Sequence, residues 1–186
     1  MAMRREQYYT YEDWQNFDLG EGRHAELIDG DMYMMASPSS RHQAILMEMS
    51  RQLSNHLRGK RCKPYFGLGV QLEKNTVLIP DLIVICDPKK LTKSSYEGAP
   101  DLVVEVLSPS TAKYDKLTKF ILYQQAGVPE YWIVDPTDNI LTIHRLIDGK
   151  YTTSVYSDTD TAPVNAIPGF TMDLSEVFIE DEQEGE

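Results

Sequence analysis

The sequence has almost no cysteine. Only Cys62 and Cys86 occur among its 186 residues, and their separation matches no zinc-binding spacing such as Cys-x₂-Cys. We therefore expect both to be free, buried thiols, because unpaired cysteine behaves as a small apolar residue. This scarcity excludes a small disulfide-stabilised secreted scaffold and favours a reducing, cytoplasmic setting.

Long apolar runs are also missing. The longest, at residues 77–86, is interrupted by Pro80 and Asp81 and falls well short of the roughly 20 residues that cross a bilayer. The first residues carry Arg4 and Arg5 followed by acid and amide rather than an apolar stretch, so we predict no signal peptide. A membrane protein is therefore not expected.

Basic charge is in deficit, with 18 Lys or Arg against 29 Asp or Glu and a net charge of −11. That deficit argues against nucleic acid, whose phosphate backbone is held through Lys and Arg. The charges are unevenly placed, however, since residues 37–119 hold 13 basic and 8 acidic residues. Residues 180–186 include five acids and predict a solvated, disordered tail. The net charge therefore does not exclude a nucleic-acid ligand for the middle of the chain.

What remains has the composition of a folded protein, at 41% hydrophobic and 10% aromatic residues, and we expect one domain over residues 1–179. Capping residues and apolar periodicity predict helices at 11–17, 37–59 and 108–127. Strands are predicted at 25–28, 32–35, 69–72, 77–86, 101–107, 130–134, 140–146 and 151–156. Asp-Gly pairs at 29–30 and 148–149 indicate hairpins. The order of elements predicts an α/β domain with a mixed sheet flanked by helices.

Acidic residues within apolar strands are the main chemical signal. Asp81 precedes a run of aliphatic residues, and Glu105 stands inside another. A buried carboxylate is costly unless a cation pairs with it, and both a lysine and a divalent metal would serve. Asp101 lies on the same strand face as Glu105, because side chains alternate across a sheet. The alternative for Glu105 is an edge strand whose acidic face is wet.

The third predicted helix offers basic partners. Lys116, Lys119 and Tyr123 fall on one face, opposite an apolar face made by other residues of the same helix. These apolar residues are Leu117, Phe120 and Ile121. The basic face would overhang the end of the Glu105 strand, which leads directly into this helix. The alternative is an ordinary solvated surface, since lysine is common on helices.

Five segments in order resemble the Uma2 family of bacterial endonucleases, which belongs to the restriction-endonuclease-like, PD-(D/E)XK superfamily. They are residues 25–30, 37–43, 80–82, 98–111 and 126–136. The resemblance covers roughly residues 8–178, and its specific part runs from Ala99 to Pro136. It implies a restriction-endonuclease-like core, a mixed central sheet flanked by helices, with added N-terminal and C-terminal hairpins.

The resemblance also implies roles for individual residues. It makes Asp81 and Glu105 the metal-binding acids and Glu26 an auxiliary acid, with His42 near the site. Asp101 also follows a proline, but it stands only four residues before Glu105, too close for the two-strand layout. The lysine expected two residues after the glutamate is Leu107 here. A lysine relocated to the following helix is expected instead, Lys119 ahead of Lys116, with Tyr123 nearby.

From the resemblance we expect a Mg²⁺-dependent DNA endonuclease, with Mn²⁺ as a substitute. Glu26, Asp81 and Glu105 would hold the metal and Lys119 would stabilise the attacking hydroxide. Basic residues between Arg41 and Lys63 would hold the DNA backbone. A homodimer is expected by analogy. Two other functions stay open, a catalytically inactive nucleic-acid-binding relative, suggested by Leu107, and a protein-interaction module, suggested by the acidic ends.

Overall fold

The computed structural model describes residues 8–17, 24–108 and 115–179. The helices are α1 (Tyr11–Asn16), α2 (Ser40–Leu57), α3 (Phe120–Ala126) and α4 (Leu174–Val177), with a 3₁₀ turn at Pro88–Lys90 and a π-helical turn at Asp115–Lys119. The strands are β1 (Ala25–Ile28), β2 (Asp31–Met34), β3 (Lys63–Phe66), β4 (Gly69–Glu73), β5 (Thr76–Leu78), β6 (Leu82–Ile85), β7 (Ser95–Glu97), β8 (Leu102–Val106), β9 (Glu130–Asp135), β10 (Ile140–Ile147), β11 (Lys150–Ser157), β12 (Thr161–Pro163) and β13 (Thr171–Asp173). The acidic tail predicted at residues 180–186 lies outside the described residues.

Two mixed sheets and one small antiparallel pair organise these strands. A six-stranded sheet has the order β11-β10-β9-β8-β6-β3, and a five-stranded sheet has the order β2-β1-β5-β4-β7. In the six-stranded sheet only β8 and β9 run parallel, and in the other only β4 and β7 do. Strands β12 and β13 form a separate two-stranded sheet. The predicted mixed α/β fold is confirmed.

Strand β8 is covered on both faces, which explains its nearly unbroken apolar sequence. On one face Val104 and Trp132 pack with Met49 of α2. On the other, Val103 packs with Tyr123 of α3. Side chains alternate along a strand, so Glu105 belongs to the same face as Val103 and points towards the α3 side.

One predicted strand, residues 77–86, is wrong as a single element. It is two strands in different sheets, since β5 pairs with β1 and β4 while β6 pairs with β3 and β8. Pro80 lies between them and has no N–H to donate to a ladder, which ends the pairing there. The chain changes sheet at this point, and Asp81 therefore stands at the junction of the two sheets.

Four short strands were not predicted, namely β3, β7 and the pair β12 and β13. Strand β3 contains Pro64, which lowers its strand propensity but is tolerated because β3 is the last strand of its sheet. Strand β7 has only three residues and joins β4 in parallel. Strands β3 and β7 depend on partners far away in sequence, and local pattern carries little of that information.

The prediction of free thiols is wrong. Cys62 and Cys86 form a disulfide, across a sequence separation of 24. The antiparallel register of β3 and β6 pairs Lys63 with Ile85, so the two cysteines come opposite each other one residue beyond that pair. Their proximity follows from the undetected strand β3, and the argument from cysteine for a reducing compartment loses its premise.

The predicted buried face of the third helix is also wrong. Leu117 and Ile121 are 56% and 51% exposed, whereas Lys119 is 4% exposed and Tyr123 fully buried. Lys119 and Tyr123 point inward because they bind buried carboxylates, as described below. Phe120 stays partly buried against His144. The predicted start of this helix, at residues 109–114, lies outside the described residues.

No helix in the described part of the chain is both long and apolar enough to cross a membrane. The longest, α2, has 18 residues and is amphipathic, with its apolar stripe against the six-stranded sheet.

Candidate active site

Asp81 and Glu105 meet across neighbouring strands. Leu82 of β6 pairs with Val104 of β8, so the antiparallel register brings Asp81 level with Glu105. The backbone N–H of Val106 donates to Oδ2 of Asp81 at 2.7 Å. This bond fixes the carboxylate of Asp81 at the end of β8, beside the glutamate.

His42 holds the same aspartate oxygen from the other side. Its Nε2 lies 3.1 Å from Oδ2 of Asp81, because Ser39 caps α2 and so begins the helix beside the sheet junction. The ring is buried, and no described residue gives its Nδ1 a hydrogen-bond partner. Among the described residues, none donates to Oδ1 of Asp81. The second oxygen of Asp81 is thus left for another ligand.

Glu26 reaches the site from the second sheet. It lies in β1, which pairs with β5 just before the chain crosses to β6. The backbone N–H of Ile79 donates to its Oε1 at 2.9 Å, and Glu26 is 4% exposed. The sheet junction therefore brings Glu26 to the carboxylates of the six-stranded sheet.

Lys119 joins the two glutamates. Its Nζ lies 2.8 Å from Oε1 of Glu105 and 3.0 Å from Oε1 of Glu26. All three side chains are about 95% buried, since their exposed fractions are 4% and 5%. One ammonium between two carboxylates compensates charges that the interior would otherwise penalise heavily. The π-helical turn at Asp115–Lys119 carries this lysine inward.

Tyr123 completes the cluster. Its hydroxyl donates to the same oxygen, Oε1 of Glu105, at 3.0 Å. Burial, and then the negative charges of Glu105 and Glu26, raise the pKa of Tyr123 well above its usual range. The phenol therefore remains a donor at neutral pH and helps to orient Glu105. We define the cluster of Glu26, His42, Asp81, Glu105, Lys119 and Tyr123 as the carboxylate–lysine cluster.

Two sequence-predicted neighbours lie elsewhere. Asp101, which precedes β8, accepts a hydrogen bond from the N–H of Cys86 at 2.7 Å, at the opposite end of β6 from Asp81. Lys116 is half exposed and lies 3.5 Å from Asp135. The structure thus brings together Glu26, His42, Asp81, Glu105, Lys119 and Tyr123, and separates Asp101 and Lys116 from them.

The sequence did not reveal the backbone donors that hold the acids. The N–H groups of Ile79 and Val106 carry no side-chain signal, and their positions depend on the strand register and on the change of sheet at Pro80. A corrected strand boundary at Pro80 would have pointed to both.

The donor chemistry of the cluster suits Mg²⁺. Carboxylate oxygens are its preferred ligands, and one or two of them with water are commonly enough. Asp81 offers Oδ1 and lies beside Glu105. No three His, Cys, Asp or Glu of the described residues are arranged as a metal-binding group, which agrees with a site that Lys119 partly neutralises. Two carboxylates fit such an ion.

Comparisons with known proteins now identify the family. A family model described as "Putative restriction endonuclease" matches residues 5–175. The chain belongs to the Uma2 family. Among curated proteins, the Synechocystis sp. protein slr1290 is 32% identical over 168 residues, which cover 88% of each chain. A second Synechocystis protein, sll1609, is 32% identical over 117 residues, 60% of this chain and 66% of its own.

A solved structure supports the same fold. A protein from Anabaena variabilis, described as a "putative nuclease belonging to DUF820", superposes with a TM-score of 0.76 over 91% of this chain and 97% of its own. The two sequences are 18% identical, so the likeness shows the fold alone. The predicted Uma2 membership and the predicted restriction-endonuclease-like core are confirmed.

Proposed function

We propose that this Uma2 protein is a Mg²⁺-dependent DNA endonuclease that hydrolyses phosphodiester bonds at the carboxylate–lysine cluster. The observation that carries the proposal is the buried ammonium of Lys119, held between Glu105 and Glu26 beside Asp81. Charged groups are rarely buried together for stability alone, because desolvation offsets most of their attraction. Such clusters are typical of catalytic centres, and membership of a family described as restriction endonucleases supports nucleic acid as the proposed substrate class.

Each residue would have a distinct task. Asp81 and Glu105 would hold Mg²⁺, or Mn²⁺ in its place, which when bound polarises the phosphoryl group and supplies activated water. Glu26 would assist as the auxiliary acid through Lys119, which it shares with Glu105. The Val106 N–H and His42 hold Oδ2 of Asp81. Oδ1 of Asp81 would then bind the metal ion.

Lys119 would perform the task of the lysine that is expected at Leu107. It comes from α3's side of the sheet yet ends at the same glutamate, 2.8 Å from Oε1. Its positive charge would stabilise the attacking hydroxide and the charge that develops on the phosphate. Tyr123 donates to the same oxygen and fixes the glutamate's orientation.

The proposal extends to assembly and location. A homodimer would present two sites to the two strands of a duplex, and two-fold symmetry is the commonest assembly. We propose that the protein acts in the cytoplasm, because its proposed substrate is DNA; the Cys62–Cys86 disulfide does not support this compartment.

Cleavage of supercoiled plasmid tests the function. With Mg²⁺ or Mn²⁺, we expect Glu105→Gln and Asp81→Asn each to lower the cleavage rate by about 10²-fold or more, the usual effect of removing a group that stabilises transition-state charge. Asp101→Asn is the matched control, an acid of the same sheet outside the cluster, and should retain the parental rate. Melting temperatures of all three would confirm folding.

Metal-dependent cleavage that survives both cluster substitutions would contradict the assignment of the site. A purified parent protein that binds DNA without cutting it would favour the second candidate, an inactive nucleic-acid-binding relative. The observation behind that candidate is Leu107, which is buried at 5% exposure and has no chemistry to offer at the position of the usual lysine.

A further inference from the structure

A basic surface lies away from the carboxylate–lysine cluster. Two segments form it, the end of α2 with the start of β3, and the 3₁₀ turn after β6. The Cys62–Cys86 disulfide joins them, and Nε of Arg61 donates to the carbonyl of Cys86 at 2.5 Å. We call this surface the disulfide patch. Its six basic side chains are Arg58, Lys60, Arg61, Lys63, Lys89 and Lys90, all exposed.

Salt bridges within the described residues do not neutralise the charge of the disulfide patch. Among the described residues none of the six forms a salt bridge, although the chain carries 29 acids. Elsewhere in the described part of the chain some cations are paired, as Arg51 is with Glu48 and Glu176, and others, such as Lys74 and Lys150, are exposed singly rather than as a group. Nζ of Lys60 lies 2.7 Å from Nε2 of His56, which carries no negative charge to neutralise the lysine. In a protein of net charge −11, this unneutralised group is a local site for a polyanion.

This distribution refines the expected DNA contacts between Arg41 and Lys63. Arg41 donates to the carbonyls of Phe178 and Ile179 and to Oδ1 of Asn139, so it holds the C-terminal segment instead. Arg51 is bound by its two glutamates. The remaining cations of that range, together with Lys89 and Lys90, are the ones left exposed for a ligand.

The position of the patch relative to the cluster follows from strand β6. Asp81 stands at one end of this strand and Cys86 just beyond the other, so five residue steps separate them, about 16 Å at 3.3 Å per residue. Strand β3 runs between the same two ends, from Lys63 opposite Ile85 to Phe66 opposite Leu82. It is the edge strand of the sheet. A DNA duplex advances about 3.4 Å along its axis per base pair, so a duplex that lies along β6 covers this distance with about five base pairs.

We propose that the disulfide patch binds the phosphate backbone of the DNA at a distance of about five base pairs, measured along the duplex axis, from the bond that the cluster cleaves. The inference rests on the proposed nuclease function and adds a second anchoring point to it. Its contacts would be electrostatic and independent of the DNA sequence, because Lys and Arg side chains that contact phosphates do not distinguish the bases. The disulfide holds the two basic segments at a fixed separation.

Binding to a fluorescein-labelled DNA duplex, measured by anisotropy in EDTA over a series of KCl concentrations, tests the proposal without requiring cleavage. The double variant Lys63→Gln, Lys89→Gln removes one cation from each segment. We expect its affinity at low salt to fall on the order of tenfold, and the slope of log K against log [KCl] to become shallower by about 2, since each phosphate contact contributes about 0.9.

The matched control is Lys74→Gln, Lys150→Gln, which changes the net charge equally at two exposed lysines outside the patch, one in the turn after β4 and one at the start of β11. Its slope should equal the parental slope. Equal losses in the two double variants would overturn the patch, and so would a parent protein that binds no duplex even at low salt, which would instead favour an acidic protein as the ligand. Failure of the nuclease proposal is separate: it would appear as patch-dependent binding without cleavage after Mg²⁺ is added.

Discussion

At the scale of single residues, Lys119 shows how a charge can be both predicted and misplaced. Family resemblance picked out Lys119, whereas helical periodicity only placed it opposite an apolar face that contains Leu117 and left open whether its own face overhangs the Glu105 strand or is solvated. In the structure Lys119 is buried against two glutamates, and Leu117 is exposed in its place. Periodicity assumes that apolar side chains turn inward. Two buried carboxylates reverse that preference, because leaving them uncompensated costs more than exposing a leucine.

Replacing Lys119 with methionine tests this balance. The change leaves Glu26 and Glu105 buried without their shared cation, so we expect the free energy of unfolding at neutral pH to fall by about 3–5 kcal/mol. Lys116→Met is the matched control, because its ion pair with Asp135 is half exposed and should contribute less than about 1 kcal/mol. Urea denaturation followed by circular dichroism measures both. Equal stabilities for the two variants would contradict the role assigned to the buried lysine.

At the scale of elements, the errors in prediction share one cause. The helix α2 was predicted well because a cap, an apolar stripe and a glycine stop all lie within the segment. The strand at 77–86 was predicted as one piece, although Pro80 separates two strands in different sheets. Local pattern identifies apolar runs, but the partners of each run are set by distant parts of the chain. The acids at the junction were identifiable from sequence, and the backbone donors that hold them were not.

The disulfide between Cys62 and Cys86 is an element-scale feature with a measurable effect. It closes a loop across a sequence separation of 24, for which the chain-entropy model gives about 3 kcal/mol of stabilisation. We expect dithiothreitol to lower the urea midpoint of the parent by a corresponding amount. The double variant Cys62→Ala, Cys86→Ala should start from the lowered midpoint and should not respond to the reductant.

A thiol titration of the denatured, non-reduced parent provides the check on that experiment. It should find no free thiol in the oxidised protein and two after reduction. If two thiols were found without reduction, the protein would have no Cys62–Cys86 disulfide, and the two segments of the disulfide patch would not be covalently linked.

At the scale of the whole molecule, the net charge of −11 taken alone argues against a nucleic-acid ligand, but the positions of the charges do not. The structure places two buried glutamates around one lysine at the sheet junction, beside Asp81. Among the described residues, the six cations of the disulfide patch form no salt bridge. The sequence already showed that its middle was basic. It did not show which cations were free, because salt bridges such as Arg51 with Glu176 join residues 125 positions apart.

The proposed homodimer makes a prediction about how a duplex is cut. Each chain contains one carboxylate–lysine cluster, so a dimer that binds both strands can cut both in one encounter, whereas a dimer with one Glu105→Gln subunit can cut only one. Co-expression of parent and variant chains with different affinity tags would allow the mixed dimer to be purified. We expect it to convert supercoiled plasmid to the nicked circle and to form little linear product, while the parent dimer forms linear product directly. Light scattering should give twice the chain mass of 21.3 kDa. A mass of one chain, with nicks that accumulate independently in the parent, would contradict the dimer and leave the cluster as a single-strand nuclease centre.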